Sequence, residues 1–188
     1  MRAGCPRCAD RATLPQPHAD DAYLLGLYLG DGCISRAGAK DKEVWKLRIM
    51  GGDSWPGLTR EGQRAMRSIR PGHKVSTAQK PGCAEVYSCS RHWPYLFAQH
   101  GAGRKDLRTI ELQPWQRVIV RQYPGQLARG LFHSDGYRGI NRVHGHLADG
   151  DRWHEYPRYL FTNESRDILR VYRGRSIDAA GQEGSGMG

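Results

Sequence analysis

The chain has 188 residues and carries 29 Lys and Arg against 19 Asp and Glu, a formal net charge of +10. Its 38% hydrophobic and 26% charged residues are typical of a globular chain of one domain or two half-size lobes. No stretch approaches the ~20 apolar residues of a membrane-spanning helix, and the first residues lack the apolar segment of a secretory signal. The positive charge favours a polyanionic partner, usually nucleic acid, over a membrane. An arginine-rich composition without functional meaning is the alternative.

The cysteines are odd in number and irregular in spacing. This favours a reduced, cytoplasmic protein over a disulfide framework. Cys5 and Cys8 form a single CxxC pair, and a structural zinc ion needs four ligands. An accidental pair is therefore the favoured interpretation. The cysteines are Cys5, Cys8, Cys33, Cys83 and Cys89.

The first hydrophobic segment predicts a helix that begins at Ala22. Asp20 and Asp21 can cap its amino end, and the helix ends at Gly30-Asp31-Gly32. Residues 1–20 show no hydrophobic period, and we expect them to form a flexible leader.

Strict alternation predicts a half-buried strand over residues 42–50. Trp45, Leu47 and Ile49 share its apolar face, and the other face is basic. The remaining predicted elements of this first unit are helix 55–69, strands 73–80 and 84–90, helix 91–100, an exposed basic loop 101–106 and helix 114–122.

The same order of elements then starts again, which indicates an internal repeat. The predictions are a helix 124–134 ending in Asp135-Gly136, a variable loop with His144 and His146, a strand 156–162 and a helix 164–173. The first unit spans 21–123 and the second 124–180. The second unit lacks counterparts of the last strands and helix of the first, so we expect it to be truncated. A flexible Gly-rich tail is predicted at 181–188.

The two repeated helices share a pattern of small residues. In 24–32 and in 128–136, two small residues four positions apart precede an Asp-Gly end. Positions four apart lie on one face of a helix, and small residues there allow two backbones to approach closely. The predicted helix-interface residues are Gly26, Gly30, Gly130 and Ser134.

Packing of these helices would bring Asp31 and Asp135 together. Two neighbouring carboxylates repel each other, and the negative end of each helix dipole adds to the repulsion. Oxygen ligands suit Mg²⁺, which can activate water to attack a phosphodiester. The pair therefore predicts a divalent-cation site. For either aspartate alone, an ordinary Asp-Gly helix stop is the alternative.

The segments Leu24–Gly32 and Ala128–Gly136 resemble the two motifs of LAGLIDADG homing endonucleases in their single-chain, two-motif form. The resemblance covers about residues 20–175. It implies an α+β fold in which an αββαββα half is repeated about a pseudo-two-fold axis, here with an incomplete second half. It also implies sheets that bind the major groove of double-stranded DNA, Mg²⁺ or Mn²⁺ as cofactor, and phosphodiester hydrolysis that leaves a double-strand break.

By position, the resemblance assigns Asp31 and Asp135 as catalytic, metal-binding acids, with Gly30 and Ser134 as further metal ligands. Lys105 is the candidate for the family's basic residue near the scissile phosphate. His133 stands where the family usually has an acid. Our candidate DNA-binding residues are Lys42, Lys46, Arg48, Lys74, Lys80, Arg104 and Arg158.

Three functions follow in order of preference. The first is a metal-dependent, site-specific DNA endonuclease, weakened by the short second half. The second is a DNA-binding transcription regulator of the same type that no longer cleaves, and the third is an RNA-binding maturase. A Ser-His-Asp hydrolase is excluded, since consecutive helix residues such as 133–135 do not face one another. We expect a cytoplasmic, nucleoid-associated monomer with internal pseudo-symmetry, or a chain whose second half is completed by a partner.

Overall fold

The computed structural model describes residues 18–38, 42–147 and 150–183, which form a mixed α+β structure and confirm the predicted class. The helices are α1 (His18–Leu29), α2 (Pro56–Ile69), α3 (Trp93–Leu96), α4 (Pro114–Gln122), α5 (Pro124–Asp135) and α6 (Arg166–Glu183). The strands are β1 (Cys33–Arg36), β2 (Trp45–Gly52), β3 (Val75–Lys80), β4 (Cys83–Ser90), β5 (Gly136–Leu147) and β6 (Gly150–Phe161). None of the described helices is long and apolar enough to cross a bilayer.

The strands form two separate antiparallel sheets. The first has the order β1-β2-β4-β3, and the second is the hairpin β5-β6. Residues paired across antiparallel strands share a face. The pairs of Leu47 with Ile34 and of Ile49 with Val86 therefore form the inner face of the first sheet, which packs against the core. The outer face carries the residues that alternate with them.

Helix α1 lies at the centre of the core. Every one of its residues except Ala19 is buried, because it packs against α2, α4 and α5. A helix that is apolar on all sides must be buried in this way. The fully buried Trp93, whose Nε1 donates to the Ser88 carbonyl over 2.9 Å, completes the core beside β4.

Helix α1 begins earlier than predicted. Its first residue is His18, so Asp20 and Asp21 lie inside the first turn and do not precede it. Asp20 is buried there because Arg64 of α2 pairs with it at 2.8 Å and neutralises its charge. Residues 18–20 therefore belong to the helix. The rest of the predicted leader, 1–17, including Cys5 and Cys8, lies outside the described residues.

The helix predicted over 91–100 is a single turn, α3. The buried Gln99 side chain donates to the Glu111 carbonyl and to Gln116, each over 2.6 Å. These bonds hold the chain after Phe97 in a non-helical course. The short edge strand β1 was not predicted, because Ile34 is the one apolar residue in its four positions.

The second unit differs most from the sequence expectation. The predicted loop at 136–147 is strand β5, and β6 begins at Gly150, well before the predicted 156. Both faces of the hairpin are largely exposed, so no alternation of apolar and polar residues marks it. Helix α6 extends to Glu183 and so includes 181–183 of the predicted tail, while 184–188 lie outside the described residues.

Candidate active site

Helices α1 and α5 cross through glycines that place their backbones in contact. A Cβ built on Gly130 would lie 3.0 Å from the Cα of Gly26, and a Cβ built on Gly26 would lie 2.7 Å from the backbone nitrogen of Leu131. Cβ atoms do not approach a backbone this closely, so a side chain at either position would separate the helices. The crossing therefore determines where the carboxyl-terminal ends of both helices lie.

A hydrogen bond joins these two helix ends. The backbone N–H of Asp31 donates to the hydroxyl oxygen of Ser134 over 2.6 Å. A Cβ on Gly30 would overlap the Ser134 side chain and lie 2.9 Å from Oδ2 of Asp135. The structure thus brings both aspartates, Gly30 and Ser134 into one small region.

The charge of one carboxyl group acts on the other. Burial raises the pKa of Asp31, the negative charge of Asp135 raises it further, and the Ser134 hydrogen bond and Lys105 oppose the shift. Burial also raises the pKa of Asp135, against a hydrogen bond from Asn163 and the charge of Lys105. Both ionised forms are therefore disfavoured, and an added cation would stabilise them. Asp31 reaches solvent, so an ion can approach it.

Lys105 places its ammonium group at the carboxyl end of α1. Its Nζ donates to the carbonyl oxygens of Tyr28 over 2.6 Å and Leu29 over 2.9 Å, and also to that of Gly30. The last carbonyls of a helix have no partner within it, so Lys105 caps α1. Burial lowers the pKa of Lys105 to about 8, while the two aspartates act in the opposite direction. The amine is mostly charged at neutral pH.

Asn163 belongs to this region and was missed in the sequence. Its Nδ2 donates to Oδ2 of Asp135 over 2.5 Å, and its Oδ1 accepts from the backbone N–H of Ser165 over 2.8 Å. The second bond is an Asx turn that leads from β6 into α6. An Asn two residues ahead of a Ser between a strand and a helix marks Asn163 as a turn residue, but no sequence signal points to its bond with Asp135.

An open cleft of about 550 Å³ lies beside this region. Lys105, Asp135 and Asn163 line it, together with Arg104. Arg104 is bonded to Asp106 at 3.0 Å and to Glu164, so its charge is largely neutralised. Asp135 borders this cleft, whereas Asp31 borders a second cleft of about 640 Å³, which Ser134 and Gly136 also line. Each cleft has room for a phosphate group beside one of the two acids.

The consecutive residues 133–135 bond to three different partners. His133 Nδ1 shares a hydrogen bond with the Tyr23 hydroxyl over 3.0 Å, and burial lowers the pKa of His133. Ser134 bonds to the backbone of Asp31, and Asp135 accepts from Asn163. A relay among the three side chains is therefore absent from this described segment.

The outer face of the four-stranded sheet carries three of the candidate DNA-binding residues. The pairing places Lys46, Arg48 and Lys80 on that face. Lys46 and Lys80 both pair with Glu85, at 2.5 Å each. Hydrogen bonds from Lys46 and then Lys80 lower the pKa of Glu85 to about 2. Glu85 was not identified in the sequence, since its partners depend on the strand register.

The remaining candidates lie elsewhere. Lys42 and Lys74 are exposed just before β2 and β3, and Arg104 lines the cleft. Arg158 is exposed on β6 and shares a hairpin face with Tyr137 and Tyr156. The structure therefore separates the predicted DNA-binding set into a sheet face, a hairpin face and the cleft.

The donor atoms at the helix ends suit a hard divalent cation. They are the carboxylates of Asp31 and Asp135 and the Gly30 carbonyl, all oxygen, as Mg²⁺ requires. Water and phosphate oxygens commonly supply the other ligands of such an ion. Within the part of the chain that the structure describes, no group of three or more His, Cys, Asp or Glu side chains could hold a metal. The two carboxylates and the backbone carbonyl are oxygen donors of the kind that Mg²⁺ binds.

The sequence was compared with protein-family models and with curated proteins. No family model matches it, and no curated protein matches it.

Proposed function

We propose that the protein is a LAGLIDADG-type endonuclease that binds double-stranded DNA and hydrolyses its phosphodiester bonds with Mg²⁺ or Mn²⁺. The observation that carries the proposal is the glycine crossing of α1 and α5, which brings Asp31 and Asp135 within electrostatic reach at two joined helix ends. Folding alone does not reward two like charges in one place. A bound cation would offset the repulsion between the two carboxylates, and the proposed reaction depends on such a cation.

The order of elements supports the fold named in this proposal. The first series is α1-β1-β2-α2-β3-β4-α3-α4. Without the one-turn helix α3, its order is αββαββα. The series α5-β5-β6-α6 repeats its first four members. Both series begin with a helix that has an Asp-Gly pair at or just after its carboxyl end, and these two helices pack together.

The outer face of the first sheet supports double-stranded DNA as the substrate. Lys46, Arg48 and Lys80 give that face a basic character, and the major groove, about 12 Å wide, admits antiparallel strands. Arg158 is a further basic residue on the hairpin, a separate surface that starts at the Asp135 end of α5.

Each residue at the two helix ends has its own role in the proposed reaction. Asp31 and Asp135 would hold the divalent cation, together with the backbone carbonyls of Gly30 and Ser134. When bound, that ion polarises a phosphate and lowers the pKa of a water molecule. Lys105 supplies a fixed positive charge beside both acids, where it stabilises negative charge that develops on the phosphate. Asn163 orients Asp135 through its hydrogen bond.

The decisive experiment separates binding from cleavage. Duplexes bound by the protein are selected from a random-sequence pool without divalent ions, and Mg²⁺ is then added and strand breaks are mapped. We expect breaks in both strands with the parent protein. Asp31→Asn and Asp135→Asn should retain binding and lose cleavage. Asp53→Asn, at an exposed acid that bonds to Gln79 and belongs to neither helix end, should cut normally. Unchanged cleavage by either of the first two variants would refute the proposal.

A second candidate, a DNA-binding regulator that does not cut, is favoured by one specific contact. The Lys105 ammonium donates to the Gly30 carbonyl, the same atom that would ligate the cation. Selective duplex binding without strand scission in Mg²⁺ or Mn²⁺ would support this candidate over the nuclease.

A further inference from the structure

Glu85 is a buried acid on the basic outer face of the first sheet. Its side chain lies between two lysines, with Oε1 2.5 Å from Lys46 Nζ and Oε2 2.5 Å from Lys80 Nζ. The residue is only 3% exposed. A carboxylate buried to this extent is stable only when its charge is paired. The two lysines are therefore its structural counter-charges.

Lys46 lies along the sheet and does not project from it. Its ammonium group lies 3.9 Å from the centre of the Tyr87 ring and also pairs with Glu85. The register explains this direction, because Lys46 is opposite Cys89, whereas Glu85 lies four residues earlier in β4, opposite Met50. A cation held by a ring face and a carboxylate is already partly neutralised, so it gains less from contact with a phosphate than an unpaired lysine would.

This pairing reduces the charge that the face offers to DNA. Lys46, Arg48 and Lys80 are its basic strand residues, and two of these three are held by one carboxylate. Sequence-independent binding to duplex DNA comes from neutralising phosphates, with a salt dependence set by their number. Lysines that remain paired with Glu85 add little to that number.

We propose that Glu85 is a specificity-determining residue, which withholds Lys46 and Lys80 from the phosphates of arbitrary DNA and so limits sequence-independent binding. This inference rests on the proposed DNA-binding function. With the phosphate contribution limited, contacts to bases make up a larger share of the total affinity.

The test measures affinity for a random-sequence duplex as a function of salt. Glu85→Gln frees two lysines, so the slope of log K against log salt should steepen by about 1.8. Affinity at 0.1 M salt should rise on the order of tenfold or more. Glu61→Gln is the matched control, because Glu61 also bridges two cations, Arg64 and Arg129, at 3.4 Å each, on the helix that covers the opposite sheet face. It removes the same charge and should leave the slope unchanged.

Lysine variants make the test independent of how well Glu85→Gln folds. Lys46→Met and Lys80→Met in the parent should each change the slope by much less than 0.9, the value for one lost phosphate contact. In the Glu85→Gln background, the same two changes together should restore the parent slope. An unchanged slope in Glu85→Gln, or a loss of about 0.9 with each lysine variant, would overturn the inference. If neither the parent nor any variant binds duplex DNA, the proposed function fails with it.

Discussion

The backbone N–H of Asp31 donates to the hydroxyl oxygen of Ser134 over 2.6 Å, so the ends of α1 and α5 are bonded directly to each other. The bond spans 103 positions of the chain and lies at the end of the glycine crossing. The relative position of the two acids is therefore set by backbone packing, which is far stiffer than a contact between flexible side chains.

We predict that the crossing does not tolerate a methyl group. Gly26→Ala and Gly130→Ala should each destabilise the protein by about 1–3 kcal/mol, because the new Cβ would overlap the backbone of the facing helix. Denaturant unfolding measures the change. Gly62→Ala on α2 is the control, since its Cβ would make only an ordinary 3.8 Å contact with Leu27. That variant should be neutral or gain about 0.4–1 kcal/mol. Equal costs at all three positions would mean that the crossing has no special role.

We predict that the acids at the two helix ends reduce stability in the metal-free protein. The native pKa of Asp31 lies above its value of 3.8 in the unfolded chain, through burial and the charge of Asp135. The native state thus holds more protons than the unfolded state above pH 3.8, and its contribution to stability falls as the pH rises through the native pKa. Asp31→Asn should therefore be as stable as the parent or more stable at pH 7, and the difference should shrink as the pH approaches 3.8. A variant that is less stable at pH 7 would show that the acid serves folding.

Glu85 should give the opposite pH dependence. Hydrogen bonds from Lys46 and Lys80 lower its native pKa from 4.5 to about 2. Its stabilising contribution is complete above pH 4.5 and is lost as the pH falls towards 2. The parent should therefore exceed Glu85→Gln in unfolding free energy at pH 6, and this excess should diminish between pH 4.5 and 2. An excess that stays constant across this range would contradict the paired state of Glu85.

Strong local signals made part of the fold predictable from the sequence. Helix α2 starts within one residue of its predicted position because Pro56 begins it, and Pro71-Gly72 follows its end. Strand β2 shows a clean two-residue period over its one buried face. The β5-β6 hairpin has neither signal, since its two faces have similar exposure. The start of α1 could not be predicted locally, because Asp20 in its first turn is neutralised by Arg64 of another helix.

The contacts of the candidate site also fall into those that the sequence could predict and those that it could not. The meeting of Asp31 and Asp135 could be predicted, because a repeated spacing of small residues identifies two faces that pack. The contact of Asn163 with Asp135 could not, since it links positions 28 apart and requires the hairpin to return to α5. The pairing of Glu85 with Lys46 likewise depends on strand register and on the reach of a long side chain.

Lys105 should compete with the divalent cation. Its ammonium group donates a hydrogen bond to the Gly30 carbonyl oxygen and neutralises part of the charge of both acids. Lys105→Met should bind Mn²⁺ about tenfold more tightly or better, because a positive charge a few ångströms away is removed, although cleavage should fall. Calorimetry measures the affinity. Arg104→Met is the control, since that cation borders the same cleft but is already neutralised by Asp106 and Glu164. Equal Mn²⁺ affinity in the parent and Lys105→Met would contradict the competition.

The most direct test of a shared ion between the two helix ends locates that ion in the polypeptide. Fe²⁺ replaces Mg²⁺, added hydrogen peroxide is reduced at the bound iron to hydroxyl radicals, and ascorbate returns Fe³⁺ to Fe²⁺. Mass spectrometry then maps the backbone cuts. The account predicts cuts near residues 30–31 and near residues 134–135 together. Excess Mg²⁺ should suppress them, and the Asp31→Asn/Asp135→Asn double variant should lack them. Cuts at only one of the two segments, or cuts that persist in the double variant, would contradict a shared ion.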